Sequence, residues 1–121
     1  MAVKLNNPGY DHAQRLVRER RIVLDERDAW SEHQPSAQQE NDFIAEHGWA
    51  AYGRWHLAVD DKRPKETKRY YKFPYGDFHD VHRCGVLAAE SRAGQRKYTD
   101  VGRAAAHLHG MLEALREADV R

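Results

Sequence analysis

The feature that most constrains this chain is the apolar stripe near its C-terminus: Val101, Ala104, Ala105, Leu108, Met111, Leu112 and Leu115. Spacings of three and four residues place these side chains on one face of a single helix that must pack against something. Thr99 stands where an N-cap is needed, with a hydroxyl able to accept from a free backbone N–H of the first turn. A preceding segment carries Val81, Cys84, Leu87, Ala88 and Ser91, a small-residue face at helical spacing that runs to about Gly94. Asp77 reads as its cap, with the helix starting at Phe78. The alanines and Gly85 then predict a close approach of the last two helices.

The N-terminal half repeats this grammar. Asn7-Pro8 reads as N-cap and first helical residue, followed by Tyr10, Ala13, Leu16 and Val17 on one stripe. Ile22-Val23-Leu24 is a short apolar run, either extended or the end of that helix. Ser36 and Gln39 have capping-box spacing, and the helix they open extends through Phe43 and Ile44 to Gly48. A second short helical piece over Trp49 to Tyr52 follows. Trp55, Leu57 and Val59 alternate with Arg54, His56 and Ala58, as in a strand with one buried face. The aromatic segment from Arg69 to Phe73 is its expected hairpin partner across a long connection. The fold expected is mainly α: one small helical domain over residues 1–121, with a two-stranded β element in the middle. Trp49, Tyr52 and Trp55 mark the centre of the core.

Composition narrows the function classes. Formal net charge is +1, with no global excess to draw the chain to nucleic acid or membrane. The charge is uneven along the sequence: +3 over residues 1–24, −7 over 25–61 and +5 over 62–121. One cysteine, Cys84, excludes an intramolecular disulfide framework and a multi-cysteine zinc site. No run has signal-peptide or membrane-span character, so a cytoplasmic protein is expected.

Three constellations bear on chemistry. His79, His82 and Cys84 fall within six residues, and imidazole and thiolate are both zinc ligands. If that segment is helical, His79 and His82 share a face, and a distant residue such as His12, His47 or His56 must complete a site. The spacing matches no metalloenzyme motif. Cys84 in small apolar surroundings reads as a packed thiol, and no nucleophile or phosphate-loop motif is present. The second constellation is basic: Lys62, Arg63, Lys65, Lys68, Arg69 and Lys72, beside Tyr71, can neutralise phosphates while the aromatics stack on bases. Arg83, Arg92 and Arg96 can extend that surface. The third is the aromatic group itself, as core or as a partner-binding patch.

The segment Tyr71-Lys72-Phe73-Pro74-Tyr75-Gly76-Asp77, with Val81-His82-Arg83 and the alanine-rich helix bearing Arg92 and Gln95, resembles short helical modules of uncharacterised bacterial and phage-related proteins. The resemblance covers the C-terminal third to half of the chain, implies no activity, and favours an interaction or assembly role. On sequence alone the reading is therefore a non-enzymatic interaction module, working through a protein partner or self-association and without membrane contact. The alternatives are a nucleic-acid-binding accessory protein using residues 62–72, and a metal-dependent enzyme using a divalent cation at His79 and His82.

Overall fold

In the computed structural model, which describes residues 2–120, five helices surround a small antiparallel sheet. The order is β1 (Val3–Leu5), α1 (Asn7–Arg18), β2 (Ile22–Val23), α2 (Trp30–His33), α3 (Ala37–Gly53), β3 (His56–Asp60), β4 (Tyr71–Pro74), β5 (Val81–His82), α4 (Arg83–Arg96) and α5 (Thr99–Val120). Single 3₁₀ turns lie at Arg27–Ala29 and Lys68–Tyr70.

The expected strand pair is present. β3 and β4 run antiparallel with Ala58 opposite Lys72 and Val59 opposite Tyr71. β1, which carries no alternation long enough to read, joins the other edge of β3, with Lys4 opposite Val59. β3 is thus the central strand, and its burial is two-sided: His56, Leu57, Ala58 and Val59 are all buried. Expecting one wet face was wrong at His56, which lies under the Tyr52 ring at 4.5 Å and the Tyr71 ring at 5.7 Å. A second, parallel pair joins β2 to β5, Ile22 opposite Val81 and Val23 opposite His82.

The capping box at Ser36 and Gln39 is formed in both directions. Gly48 breaks α3 with φ 86° and ψ 172°, a conformation open essentially to glycine alone, so two helical pieces meet there at an angle. α1 begins one residue earlier than expected. Its N-cap is Asn6, whose side-chain amide donates to the carbonyls of Gly53 and His56 and ties the helix start to β3.

The largest departure lies at residues 77–82. No helix starts at Phe78. Asp77 Oδ1 accepts from the N–H groups of His79 (2.9 Å) and Asp80 (2.8 Å), closing a tight turn. The chain then pairs with β2 and enters α4 only at Arg83. Asp77 caps as expected, but what it caps is a turn, because its side chain satisfies the local donors without a helix following. Gly85 also serves a different neighbour from the one expected. A Cβ there would meet the Tyr75 carbonyl and the Trp30 ring rather than α5. α4 and α5 pack through Ala89, Ala93, Val101, Ala105, Leu108 and Leu112, all buried in a core shared with α1 and β3. No helix among the described residues is long and apolar enough to cross a membrane.

Candidate metal centre

The entry of α4, the end of β2 and the short α2 bring four side chains together. Asp25 follows β2, His33 ends α2, His82 ends β5 and Cys84 lies in the first turn of α4. One ligand atom from each lies within 4.8 Å of all the others. The hub is Asp25 Oδ2, 2.7 Å from His33 Nδ1, 2.7 Å from His82 Nδ1 and 3.0 Å from Cys84 Sγ. Sγ and His33 Nδ1 are 3.8 Å apart.

The surroundings hold these groups in place. The other oxygen of Asp25 accepts from the Cys84 backbone N–H at 2.7 Å, so the helix start orients the carboxylate. Arg83 donates to the Asp25 carbonyl at 3.0 Å and to Glu113 of α5 at 2.6 Å, pinning β2 against two helices. His82 Nε2 donates to Asp77 Oδ2 at 2.8 Å. A carboxylate on the far nitrogen of an imidazole, leaving the near one for a cation, is the usual support of a metal-ligating histidine. The turn at Asp77 thereby has a purpose beyond chain reversal.

Electrostatics follow from this crowding. Burial works to raise the Asp25 carboxyl, but hydrogen bonds from Cys84, His82 and His33 outweigh it and hold the group at about 2. Burial disfavours a charge on His82, yet Asp77 and Asp25 together raise its pKa above the ordinary imidazole value. Burial and the Asp25 charge push the Cys84 thiol up to about 12. In the metal-free molecule the hub carboxylate is therefore balanced by protons on its neighbours, which a cation can replace.

Size agrees. A tetrahedral centre with bonds of about 2.0–2.3 Å sets its ligand atoms about 3.3–3.8 Å apart. The Cys84–His33 separation already has that value, and the three contacts to Asp25 need to open by less than about 1 Å. Two imidazoles, a thiolate and a carboxylate form a mixed set suited to zinc and its divalent neighbours.

His82 and Cys84 are thus brought together as the sequence suggested. His79 is not in the group, because the turn at 77–80 sends it to the wall of a neighbouring surface cleft. The distant histidines considered as partners are engaged elsewhere. His12 bonds Tyr75 Oη and the Arg54 carbonyl, His56 is buried with Nδ1 on the Tyr52 carbonyl, and His47 packs on Phe43. Sequence reasoning missed Asp25 and His33. Asp25 sits in a charged run that looks solvated, and the only signal was a short-range Asp–His pair at a spacing no motif uses.

Within the basic stretch some side chains have partners in the fold and others are exposed. Arg63 pairs with Asp60, Lys68 pairs with Glu40 at 3.4 Å, and Tyr71 lies against Trp49 and Tyr52. Lys62, Lys65 and Arg69 are exposed on the connection and its 3₁₀ turn, while Lys72 faces α4.

His33 and Asp77 also wall the cleft, which has a volume of about 440 Å³ and contains Glu46, His47 and His79. Its apolar side is Phe43 stacked on Phe78 at 4.3 Å. No family model matches this chain, and no curated protein or solved structure matches it either.

Proposed function

We propose that this protein is a zinc-class metalloprotein in which Asp25, His33, His82 and Cys84 hold a divalent cation, and that it works as a metal-dependent enzyme on the adjoining cleft. The observation that carries the reading is the convergence of four ligand atoms from three separate parts of the chain, with a carboxylate behind His82. Burying that many hydrogen-bonding groups at one point costs desolvation that a bound cation offsets.

Catalytic use is supported by the ligand set and its position. Closed structural zinc sites are commonly thiolate-rich, whereas this one has a single sulfur. His33 is its exposed member, with 38% of its side chain accessible, and it stands at the cleft. If His33, the exposed ligand, gave way to water or substrate, a cation held by Asp25, His82 and Cys84 would have an open position and would supply Lewis-acid chemistry toward a carbonyl or phosphoryl oxygen. Glu46, His47 and His79 are positioned on the same cleft as groups able to carry protons.

The test is metal content of untagged protein purified without chelator, followed by zinc titration of the chelated protein. About one equivalent per chain, lost in Asp25→Ala and His82→Ala, is expected. Protein that is metal-free as isolated and takes up no zinc, cobalt or iron would overturn the reading. Catalytic use further predicts that His33→Ala retains metal while hydrolysis of generic ester or phosphoester substrates changes. Metal-loaded protein inert toward both classes would leave only a structural centre and reject the enzyme.

A further inference from the structure

We propose that the groove along the outer face of α4 binds a nucleoside phosphate, with Lys72, Arg92 and Arg96 on the phosphate and the aromatic rings of its wall against the base. Three adjoining cavities of about 310, 440 and 220 Å³ follow this face, and Arg92 borders all of them. Arg92 and Arg96 are one helical turn apart and project to the same side. Lys72 reaches the groove from β4, an edge strand of the sheet.

None of these three cations lies within 4.0 Å of a carboxylate among the described residues; Asp60, at one end of the groove, is engaged by Arg63. Positive groups crowded without a counter-charge repel one another, and an anion between them removes that cost. Arg and Lys in this arrangement suit phosphate oxygens.

The backbone supplies the second observation. Neighbouring residues of a strand point to opposite faces, yet Lys72 and Phe73 border the same two cavities. Phe73 has φ 60°, a left-handed conformation that is unfavourable for a bulky side chain. That strain rotates the strand end so that a cation and a ring face the groove together, and strain of this kind gathers at ligand sites. Tyr98 meets Phe73 edge-on at 6.1 Å beside the cavity of about 220 Å³, and Trp30 lines the adjoining one of about 310 Å³. Ala88 and Ala89 leave the floor between them open. Cations beside flat rings over a small-residue floor suit a phosphorylated base better than bare phosphate.

The groove and the metal centre use different residues: Trp30 and Ser31 of α2 border the groove, whereas the cation site uses His33 at the end of the same helix. The phosphate can come from a free nucleotide or from a single strand of nucleic acid, and calorimetric titration in excess EDTA separates them. The probes are AMP, inorganic phosphate and a single-stranded oligonucleotide of about ten residues. We expect AMP or the oligonucleotide to bind at least about tenfold more tightly than inorganic phosphate, with affinity falling as salt rises. Arg92→Glu, and separately Lys72→Ala, should weaken that binding by about tenfold or more while circular dichroism stays unchanged. Binding of AMP assigns the groove to free nucleotides; binding of the oligonucleotide alone assigns it to a strand. No binding at millimolar probe, binding indifferent to Arg92→Glu, or phosphate binding as tightly as AMP would each overturn the proposal.

Discussion

Asp25 concentrates more interactions than any other side chain near the proposed centre. Its two oxygens serve the Cys84 N–H and thiol and two imidazoles, and its own side chain is only 8% exposed. Asp25→Ala should therefore destabilise even the chelated protein, by about 2–4 kcal/mol, because buried donors lose their acceptor. Asp25→Asn keeps an oxygen for one of these donors and should lose less, while still weakening metal binding; urea unfolding in EDTA compares the two. His56 makes a pH prediction. Burial lowers its pKa to about 4, against 6.5 for a free imidazole, despite the hydrogen bond to the Tyr52 carbonyl. The unfolded chain takes up this proton first, so the stabilisation is full above about pH 6.5 and is lost as the pH falls toward 4. The loss amounts to about 3 kcal/mol. Unfolding of the chelated protein across this range should show it, and His56→Gln should remove this component of the pH dependence.

The way elements touch depends on a few positions where no side chain fits. α1 crosses β3 at Gly9, where an added Cβ would overlap the His56 carbonyl. Gly9→Ala must push helix and strand apart, at an expected cost of about 3 kcal/mol or more, read as a fall in melting temperature. Capping chemistry was legible at Ser36 with Gln39, and the break at Gly48 and the span of α5 also follow from short-range residue patterns; Asn7 and Thr99, expected as caps, are instead the first residues of α1 and α5. The segment 77–82 was not legible. An aspartate before a small-residue helical pattern has the same local signature whether it caps a helix or a turn. Pairing of β5 with β2, about sixty residues earlier in the chain, decided between them.

Across the molecule, the proposed centre joins β2, α2, β5 and α4, so its occupancy bears on how the N-terminal and C-terminal halves hold together. Metal should raise the melting temperature of the chelated protein in proportion to the logarithm of free metal over its dissociation constant. Because His82 and Cys84 carry protons until a cation replaces them, binding should release protons. Calorimetry in buffers of different ionisation enthalpy would measure the release, and a value of zero would argue against ligation by these two residues. Of the aromatic centre expected at Trp49, Tyr52 and Trp55, only Trp55 joins the main core, and Trp49 is half-buried outside it. Residue order was enough to establish a mainly helical fold, the β3–β4 pair, the apolar stripes of α1 and α5, and His82 and Cys84 as chemically notable neighbours. All of these rest on periodicity or on groups within a few residues of one another. Only the tertiary structure brought Asp25 and His33 to that pair, moved His79 into the cleft, made β3 a central strand and gathered Lys72 with Arg92 and Arg96. Each of those results depends on contacts between residues tens of positions apart, and local spacing carries no record of which distant segments the packed core brings together.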